Sequence, residues 1–407
     1  MKALNLNLNL GNESTSRKVG LHLTDDGRTI LLFAVAAMLG GASWSGRPFL
    51  NSFALLYPFV YLNSSRRIDT LSTVFYYAAS TVTVVHAAQQ FFGIGTNPLQ
   101  PILIWLALIT LGSAPWLCFY SQRFLPFSTI ASLTALAVPP LSLVTVAYPL
   151  IAAGHWFPGT RWFGLALPIL LIATYRRLGA PTTAAILLGA SLVVHVRFHR
   201  PAPDPRIVAL STDVGSHPNQ KVVLDSPATE LALQRQALAH PETLLLLPES
   251  VLPGWSLIHE ERWTETFQQL KRQQTGLLIG TTIPIPNSDA NWNVLLSRGY
   301  SERLSYVQRV PVPLGMWHLG STSDGFPLML RYPATIRIWG HRAGVLVCYE
   351  QFLVWPALQT LSQNPDMLLA PSNLYWGQGT SLPAIQHISA QGWADLWGIP
   401  LYEATNR

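Results

Sequence analysis

Charged side chains are scarce in this 407-residue chain: 11% are Asp, Glu, Lys or Arg, against about 25% in a typical soluble domain. The shortage is uneven. Between Arg28 and Val196 the sole acidic residue is Asp69, and lysine is absent. After Arg206 the composition is that of an ordinary globular domain, so the chain reads as a membrane part followed by a water-soluble part. Cysteine is rarer still. Cys118 and Cys348 stand far apart and make neither a disulfide framework nor a metal-ligand spacing; no metal and no cofactor is expected. The Lys and Arg behind the net charge of +6 are scattered, with no basic run, which gives no footing for direct nucleic-acid binding. Ionisable residues of the kind that mark transport paths are nearly missing from the apolar half, which argues against a transporter. Residues 1–27 are polar and Asn-rich and lack the basic stretch, apolar core and small-residue site of a signal peptide. They are expected to form a cytoplasmic segment.

What is present in the first half is apolar sequence in segments. A spanning helix needs about 20 mostly apolar residues, with roughly 17–25 tolerated. Seven segments approach this: 29–44, 48–62 (split by Pro58), 71–92, 102–120, 124–153 (broken at Pro139-Pro140), 162–174 and 182–196. The expectation is a membrane domain over 28–196 with about seven transmembrane helices. Arg66-Arg67 follows the second segment, Arg123 the fourth and Arg176-Arg177 the sixth, whereas loops 93–100 and 154–161 hold one Arg between them. The positive-inside rule then puts the N-terminus in the cytoplasm and everything after the seventh segment outside. In a Gram-negative cell this is a multi-pass inner-membrane protein with a periplasmic soluble domain. His86, Gln89 and Gln90 close the third segment and read as interface residues. Prolines 201, 203 and 205 make 197–206 an extended linker.

The soluble half, 207–407, alternates apolar runs of strand length with amphipathic helical stretches. Runs at 207–210, 244–247, 277–280, 294–296, 305–312, 336–339, 345–347, 367–370 and 400–406 read as strands; 226–240 (capped by Ser226), 263–274 and 383–396 read as helices. Such alternation defines an α/β domain. The strand Val345-Leu346-Val347 ends in Cys348-Tyr349-Glu350, delivering a thiol and a carboxylate to a strand's C-terminal end. Open α/β sheets place their sites there, although a lone cysteine is as readily a small core residue.

Three landmarks decide between these readings: Leu247-Pro248-Glu249 closing one strand, Val345 to Glu350 closing another, and Pro371-Ser372-Asn373 through Trp376 closing a third. Together they resemble the nitrilase (carbon–nitrogen hydrolase) superfamily. Val312-Pro313-Leu314-Gly315 and the closing Ala404-Thr405-Asn406 resemble segments of its membrane branch, the apolipoprotein N-acyltransferases, which place transmembrane helices before a periplasmic nitrilase domain. In length and departures the chain also resembles the plasmid-encoded TraB family of conjugal-transfer proteins. The resemblance covers nearly the whole chain and implies an αββα sandwich over 207–407. It also implies covalent catalysis, with Cys348 as nucleophile, Glu249 as general base and Glu350 as a supporting carboxylate beside the cysteine. Asn373, Trp376, Met316 and Trp317 would line the substrate space.

The departures matter as much. The position of the superfamily's oxyanion-stabilising lysine is held by Gln308, which carries no charge. Arg309 is adjacent, but neighbours on a strand face opposite sides, so it substitutes only if the strand bulges or slips. Met316 stands where the acyltransferases have a glutamate, and those enzymes continue beyond the position of Arg407 with more sheet and a last helix, so a C-terminally shortened domain is implied. Two functions of different class follow. One is thiol-based acyl transfer or amide hydrolysis acting on a phospholipid acyl donor and an envelope protein. The other is a catalytically impaired nitrilase-fold scaffold that docks a conjugation component. The membrane acyltransferases imply a monomer.

Overall fold

In the N-terminal half, helices end where proline, glycine or polar residues interrupt the apolar runs. The computed structural model describes residues 24–93, 97–214, 227–300, 303–317 and 324–407; most of the expected cytoplasmic segment and the proposed cap Ser226 lie outside the described residues. Helix α1 (Asp25–Ser43) starts at Thr24, whose hydroxyl accepts from the Gly27 amide at 3.2 Å. The second apolar segment breaks into Pro48–Asn51, a 3-10 stretch and Tyr57–Tyr61. The third forms α2 (Ser72–Thr81) and α3 (Thr83–Phe92), which meet at Val82. The fourth is the unbroken α4 (Leu99–Cys118). Only α5 (Leu125–Ala137) emerges from the long fifth segment, because proline has no N–H and disfavours helix in the residue before it. After Pro139-Pro140 the chain proceeds through 3-10 turns to the single turn α6 (Ala153–Trp156).

The sixth and seventh segments are two limbs of α7 (Trp162–Arg197), parted at Gly179, where φ is 74° and ψ 166°. A straight helix of 36 residues would hold its ends about 54 Å apart. Instead the Phe198 ring lies against Gly159, so the limbs run antiparallel. Among the described residues, α4 and α7 are the helices long and apolar enough to cross a membrane. The expected count of about seven is thus replaced by a coarser finding: the second and fifth segments are cut short at prolines, the third parts at Val82, and α1 carries Asp25, Asp26 and Arg28 in its first turn. Asp69 is buried and fully engaged, accepting from Thr29 Oγ1 at 2.6 Å and from the Ser65 and Arg66 amides at 2.8 Å. It ties α1 to the turn before α2 and lines no path.

This half has two distinct ends. The Arg176 guanidinium donates to the Gln122 and Arg123 carbonyls, and Asn63 Nδ2 lies 3.4 Å from the Tyr175 hydroxyl. The Arg-bearing loops therefore gather at one end. The other end meets the α/β half, where the Gly159 and Arg161 amides donate to Asp395 O and Leu396 O at 2.7 Å. Arg200 of the linker forks onto the Asp395 carboxylate at 3.0 and 2.8 Å.

In the α/β half, one sheet runs β1 (Ile207–Ala209), β2 (Leu244–Leu246), β3 (Gly276–Pro284), β4 (Asp289–Gly299), β5 (Arg303–Val307), with β6 (Asp324–Gly325) beside β4. The other runs β10 (Leu401–Asn406), β9 (Met367–Asn373), β8 (His341–Val345), β7 (Thr335–Ile338). Their inner faces share one core, to which Leu246, Leu278 and Leu295 contribute from the first sheet and Val345, Leu369 and Ala404 from the second. Helices α8 (Pro227–Leu238) and α9 (Leu257–Arg272) cover the first sheet, and α10 (Val354–Ser362) and α11 (Leu382–Trp397) cover the second. This is the αββα layering. Helix α9 starts six residues before the expected 263, because Ser256 and His259 cap it through a 2.9 Å bond. Strand β5 stops at Val307, short of the expected 312. Because β8, β9 and β10 are parallel, the chain leaves all three at one edge, beside the exit from β2.

Helix α11 packs on the second sheet with one face and on α6 with the other. A Cβ on Gly154 would stand 1.7 Å from the Gly392 carbonyl oxygen, so only glycine permits this approach. Gly154→Ala should lower stability by about 1–3 kcal/mol, the usual cost of overpacking, whereas Gly189→Ala, whose Cβ would meet nothing within 4 Å, should be neutral or stabilising. Thermal unfolding of the full chain in detergent tests this; equal melting points would show that the approach is not a constraint.

Candidate functional site

The site grows from the residues just past β8. Val345, Leu346 and Val347 are buried, and Cys348 then takes a left-handed conformation with φ 47°. Such geometry costs a non-glycine residue of order 1–3 kcal/mol and persists only where neighbours enforce it. The enforcement is visible. The Glu350 carboxylate accepts from the Val347 amide at 2.8 Å, Gln386 Nε2 on α11 donates to Cys348 O at 3.0 Å, and Gln351 Nε2 donates to Leu346 O at 3.0 Å. The sulfur is thereby turned off the sheet line toward the first sheet.

Glu249 arrives from the exit of β2. Gly280 lets β3 pass beneath it, since a Cβ there would meet Pro248 O at 2.0 Å. One carboxylate oxygen accepts from Asn293 Nδ2 at 2.6 Å and the other from the Asn373 amide at 3.1 Å. The Cys348 thiol points at the Asn373 carbonyl, 3.9 Å away. Asn373 therefore holds the carboxylate with its N–H and the thiol with its C=O. Burial pushes the Glu249 carboxyl above its usual range, and the hydrogen bonds from Cys348, Asn293 and Asn373 recover part of that. Burial, followed by the charge and hydrogen bond of Glu249, pushes the Cys348 thiol well above an ordinary cysteine. Tyr375, beside both, is pushed up to about 12 by burial and then by these two groups.

Gln308 is brought into the site, as its sequence position implied. Its Oε1 accepts from Asn293 Nδ2 at 2.8 Å and its Nε2 donates to Val347 O at 3.1 Å, so each end of the amide is engaged. Arg309 is not brought in, and the idea that it substitutes for the lysine is corrected. It is wholly buried on the far side, with Nε on the Tyr306 hydroxyl at 2.8 Å and Nη2 on Thr360 Oγ1 at 2.8 Å. The physical reason is that Gln308 and Arg309, just past β5, still point to opposite partners, and the register shift in the β4–β5 pairing, between Leu295 and Leu296, does not bring Arg309 round. Glu350 lies behind Cys348, accepting from the Arg309 amide at 2.7 Å and the Tyr306 hydroxyl at 2.9 Å, with Arg309 Nε at 3.6 Å. It supports the turn and does not face the thiol.

Trp376 donates to Asn373 O at 2.8 Å. With Trp317 and Tyr349 it also lines a cavity of about 340 Å³ between α3, α4 and the α/β half, whose wall is almost entirely apolar. Met316 sits in the turn closed by its amide on Val312 O, at 2.9 Å, and is not in that wall. Asn293 and Gln386 were missed by the sequence reading. Their signal was faint, a polar residue within the apolar β4 run and a Gln on the buried face of a helix. No cluster of metal-ligating side chains occurs among the described residues.

No known protein-family model matches the chain. It is similar over nearly its whole length to two curated proteins. The conjugal transfer protein TraB of Agrobacterium fabrum is 27% identical over 400 residues, 94% of each chain. The probable conjugal transfer protein TraB of Sinorhizobium fredii is 28% identical over 388 residues, 92% of this chain and 97% of that one. Among solved structures it is similar to a carbon–nitrogen hydrolase from Helicobacter pylori (17% identity, TM-score 0.36, 49% of this chain and 72% of that one). It is also similar to Nit3 of Saccharomyces cerevisiae, a nitrilase-superfamily member (20% identity, TM-score 0.33, 49% and 74%).

Two predictions follow from this geometry. Alkylation of Cys348 by iodoacetamide should keep accelerating as pH rises past the ordinary thiol value of 9.0. Glu249→Gln removes the charge that opposes thiolate formation and should move that profile to lower pH; an unmoved profile would mean that the carboxylate does not act on the sulfur. Arg309→Met strands the Glu350 carboxylate in a dry interior and should cost about 3–5 kcal/mol of stability, read by denaturant unfolding. A loss below 1 kcal/mol would place the pair in the class of surface ion pairs.

Proposed function

We propose that this chain is a multi-pass inner-membrane protein of plasmid conjugal transfer whose periplasmic α/β domain performs thiol-based acyl transfer or amide hydrolysis at Cys348. The observation that carries the reading is the convergence of Cys348 and Glu249 on Asn373, next to an apolar cavity walled by Trp376 and Tyr349. A volume of about 340 Å³ lies within the range of about 300–1,000 Å³ common for small-molecule sites. A wall of this kind suits one hydrocarbon chain of a phospholipid acyl donor from the bilayer. The Arg-bearing loops at one end of the helical half and the α/β half at the other support cytoplasmic loops and a periplasmic domain.

In this reading the acyl carbonyl reaches Cys348 and the thiol proton passes to Glu249 as the S–C bond forms. A raised carboxyl suits that exchange, because a base works best with a pKa near the working pH. The leaving group departs with the proton from Glu249, giving a thioester. Water or an amine of an envelope protein then attacks the thioester carbonyl as Glu249 takes its proton; the C–S bond breaks, the acid or amide leaves, and Glu249 returns the proton to the sulfur. At the expected lysine position the developing oxyanion is offered the neutral amide of Gln308 and no charge. Each oxyanion donor is worth about 2.7–4 kcal/mol, so turnover is slow. A second reading, the impaired scaffold, draws on the same fact: Gln308 supplies no charge and its amide is already engaged.

The test is intact-mass analysis of the full chain in phospholipid vesicles. Acyl mass should appear on the peptide holding Cys348, vanish in Cys348→Ala, and form at least about 10²-fold more slowly in Glu249→Gln. Gln308→Lys should accelerate it. No adduct on any variant, with plasmid transfer frequency unchanged by Cys348→Ala, rejects catalysis and leaves the scaffold.

A further inference from the structure

Asn406, the last residue of β10, is wholly buried, and every hydrogen-bonding position on its side chain is taken. Its Oδ1 accepts from Thr212 Oγ1 at 2.8 Å and from the Val214 amide at 2.9 Å. Its Nδ2 donates to Val214 O at 2.8 Å and to Asn373 Oδ1 at 3.2 Å. A side-chain amide offers two acceptor and two donor positions, so none is left over. The stretch it holds at 212–214 continues from β1 of the first sheet, and the Thr212 amide donates to Thr405 O of β10 at 2.9 Å. Asn406 also stands opposite Asn373 in the parallel β9–β10 ladder, and its carbonyl accepts from the Leu374 amide at 2.7 Å. That amide belongs to the peptide unit whose C=O faces the Cys348 thiol and the Trp376 indole. A trans peptide is planar, so the main chain of Asn406 aims this carbonyl from behind while its side chain pins the Asn373 side chain.

We propose that Asn406 is a positioning residue: by holding Asn373 it keeps one N–H on the Glu249 carboxylate and one C=O on the Cys348 thiol, and so sets the proton exchange between them. The inference rests on the reading of Glu249 as the base. The β9–β10 ladder ends at the Asn373–Asn406 pair, and Leu374 then turns away with φ −109° and ψ 8°. The bond to Glu249 is thus made by the last residue of the ladder, through the Asn373 N–H at 3.1 Å. Element ends open locally unless they are tied down, and here the tie is the Asn406 side chain, anchored in turn on the first sheet's 212–214. Without it the Asn373 N–H spends less of its time on the carboxylate. The ionised form then loses part of a charge-assisted hydrogen bond, and Glu249 takes up its proton at higher pH. Because the base acts as the anion, reaction at Cys348 also switches on at higher pH.

The experiment uses the full chain in lipid nanodiscs and two readouts. Infrared titration follows the protonated Glu249 carboxyl, identified as the band missing from Glu249→Gln. Acylation of Cys348 by p-nitrophenyl octanoate is followed over the same pH range. Asn406→Ala should raise the infrared midpoint by about 1 pH unit, the scale of one hydrogen bond to a charged group, and move the acid limb of acylation up by the same amount. Asn373→Ala, which removes the contact from its other end, should give a like shift, and the double variant no more than either alone. Thr212→Val takes away a different bond to Asn406 and spares its hold on Asn373, so it should lower stability and leave the midpoint in place. The infrared pattern without acylation of any variant supports the assignment of Asn406 and overturns acyl transfer. Acylation whose acid limb, like the midpoint, is unmoved by Asn406→Ala overturns the assignment and supports acyl transfer. An equal shift in Thr212→Val, or additive shifts in the double variant, also overturns it, since a strand end loosened in general would give either. If Asn406→Ala does not fold, the midpoint of Asn373→Ala decides: a rise supports the assignment and an unchanged value overturns it.

Discussion

A carboxylate without access to water, Glu350, underlies the geometry of this molecule. It accepts from the amides of Val347, Arg309 and Val310 and from the Tyr306 hydroxyl, and the Arg309 guanidinium balances its charge. Those donors come from two sheets. The anion therefore fastens the turn after β8 to the stretch after β5, and with them the two inner faces of the sandwich. Burying such a pair is costly unless every lone pair and proton is engaged. Here they are engaged, and the result is a rigid support for a strained Cys348. The cation is not missing from this region of the fold. It stands one residue along from the expected place and supports the turn from behind.

That placement shapes the chemistry available to the sulfur. With Arg309 committed to the rear and Gln308 bonded to Asn293 and Val347 O, Cys348 faces a carboxylate and neutral amides. A buried thiol beside a carboxylate keeps its proton, so attack by the sulfur requires that this proton move to the carboxylate. The junction between the halves supplies the complementary feature. Glycines 154 and 392 bring α6 against α11, and Phe91 reaches Gly315 and Trp376, so the apolar cavity is built jointly by both halves. Neither half forms it alone.

Much of the plan was legible in advance. The shift in charge density at Arg206 divides the chain, and the strand–helix alternation and strand-end residues Glu249, Cys348 and Asn373 lie where the reading put them. Local signals failed where tertiary packing decided. The fifth apolar segment yields one short helix because Pro139-Pro140 breaks it. The strand expected to reach Val312 ends at Val307 because the Arg309 and Val310 amides donate to the buried Glu350 carboxylate and not to a neighbouring strand. Asn293 and Gln386 carried no pattern, since a buried amide is recognisable only from what it bonds.

By itself the sequence determined where the charge density changes, the α/β class of the second half and the strand-end position of the thiol; the pairing of that thiol with Glu249, and Gln308 in place of a lysine, came from the resemblance to the nitrilase superfamily. Periodicity, composition and strand-end position are local properties, and they need no knowledge of what folds against what. The tertiary structure alone decided that Arg309 serves Glu350 and not Cys348, that one asparagine joins thiol to carboxylate, and that an apolar cavity lies between the two halves. Each of these depends on residues far apart in the chain meeting across a buried interface. Their direction and distance follow from the packing of sheets and helices and not from the order of residues.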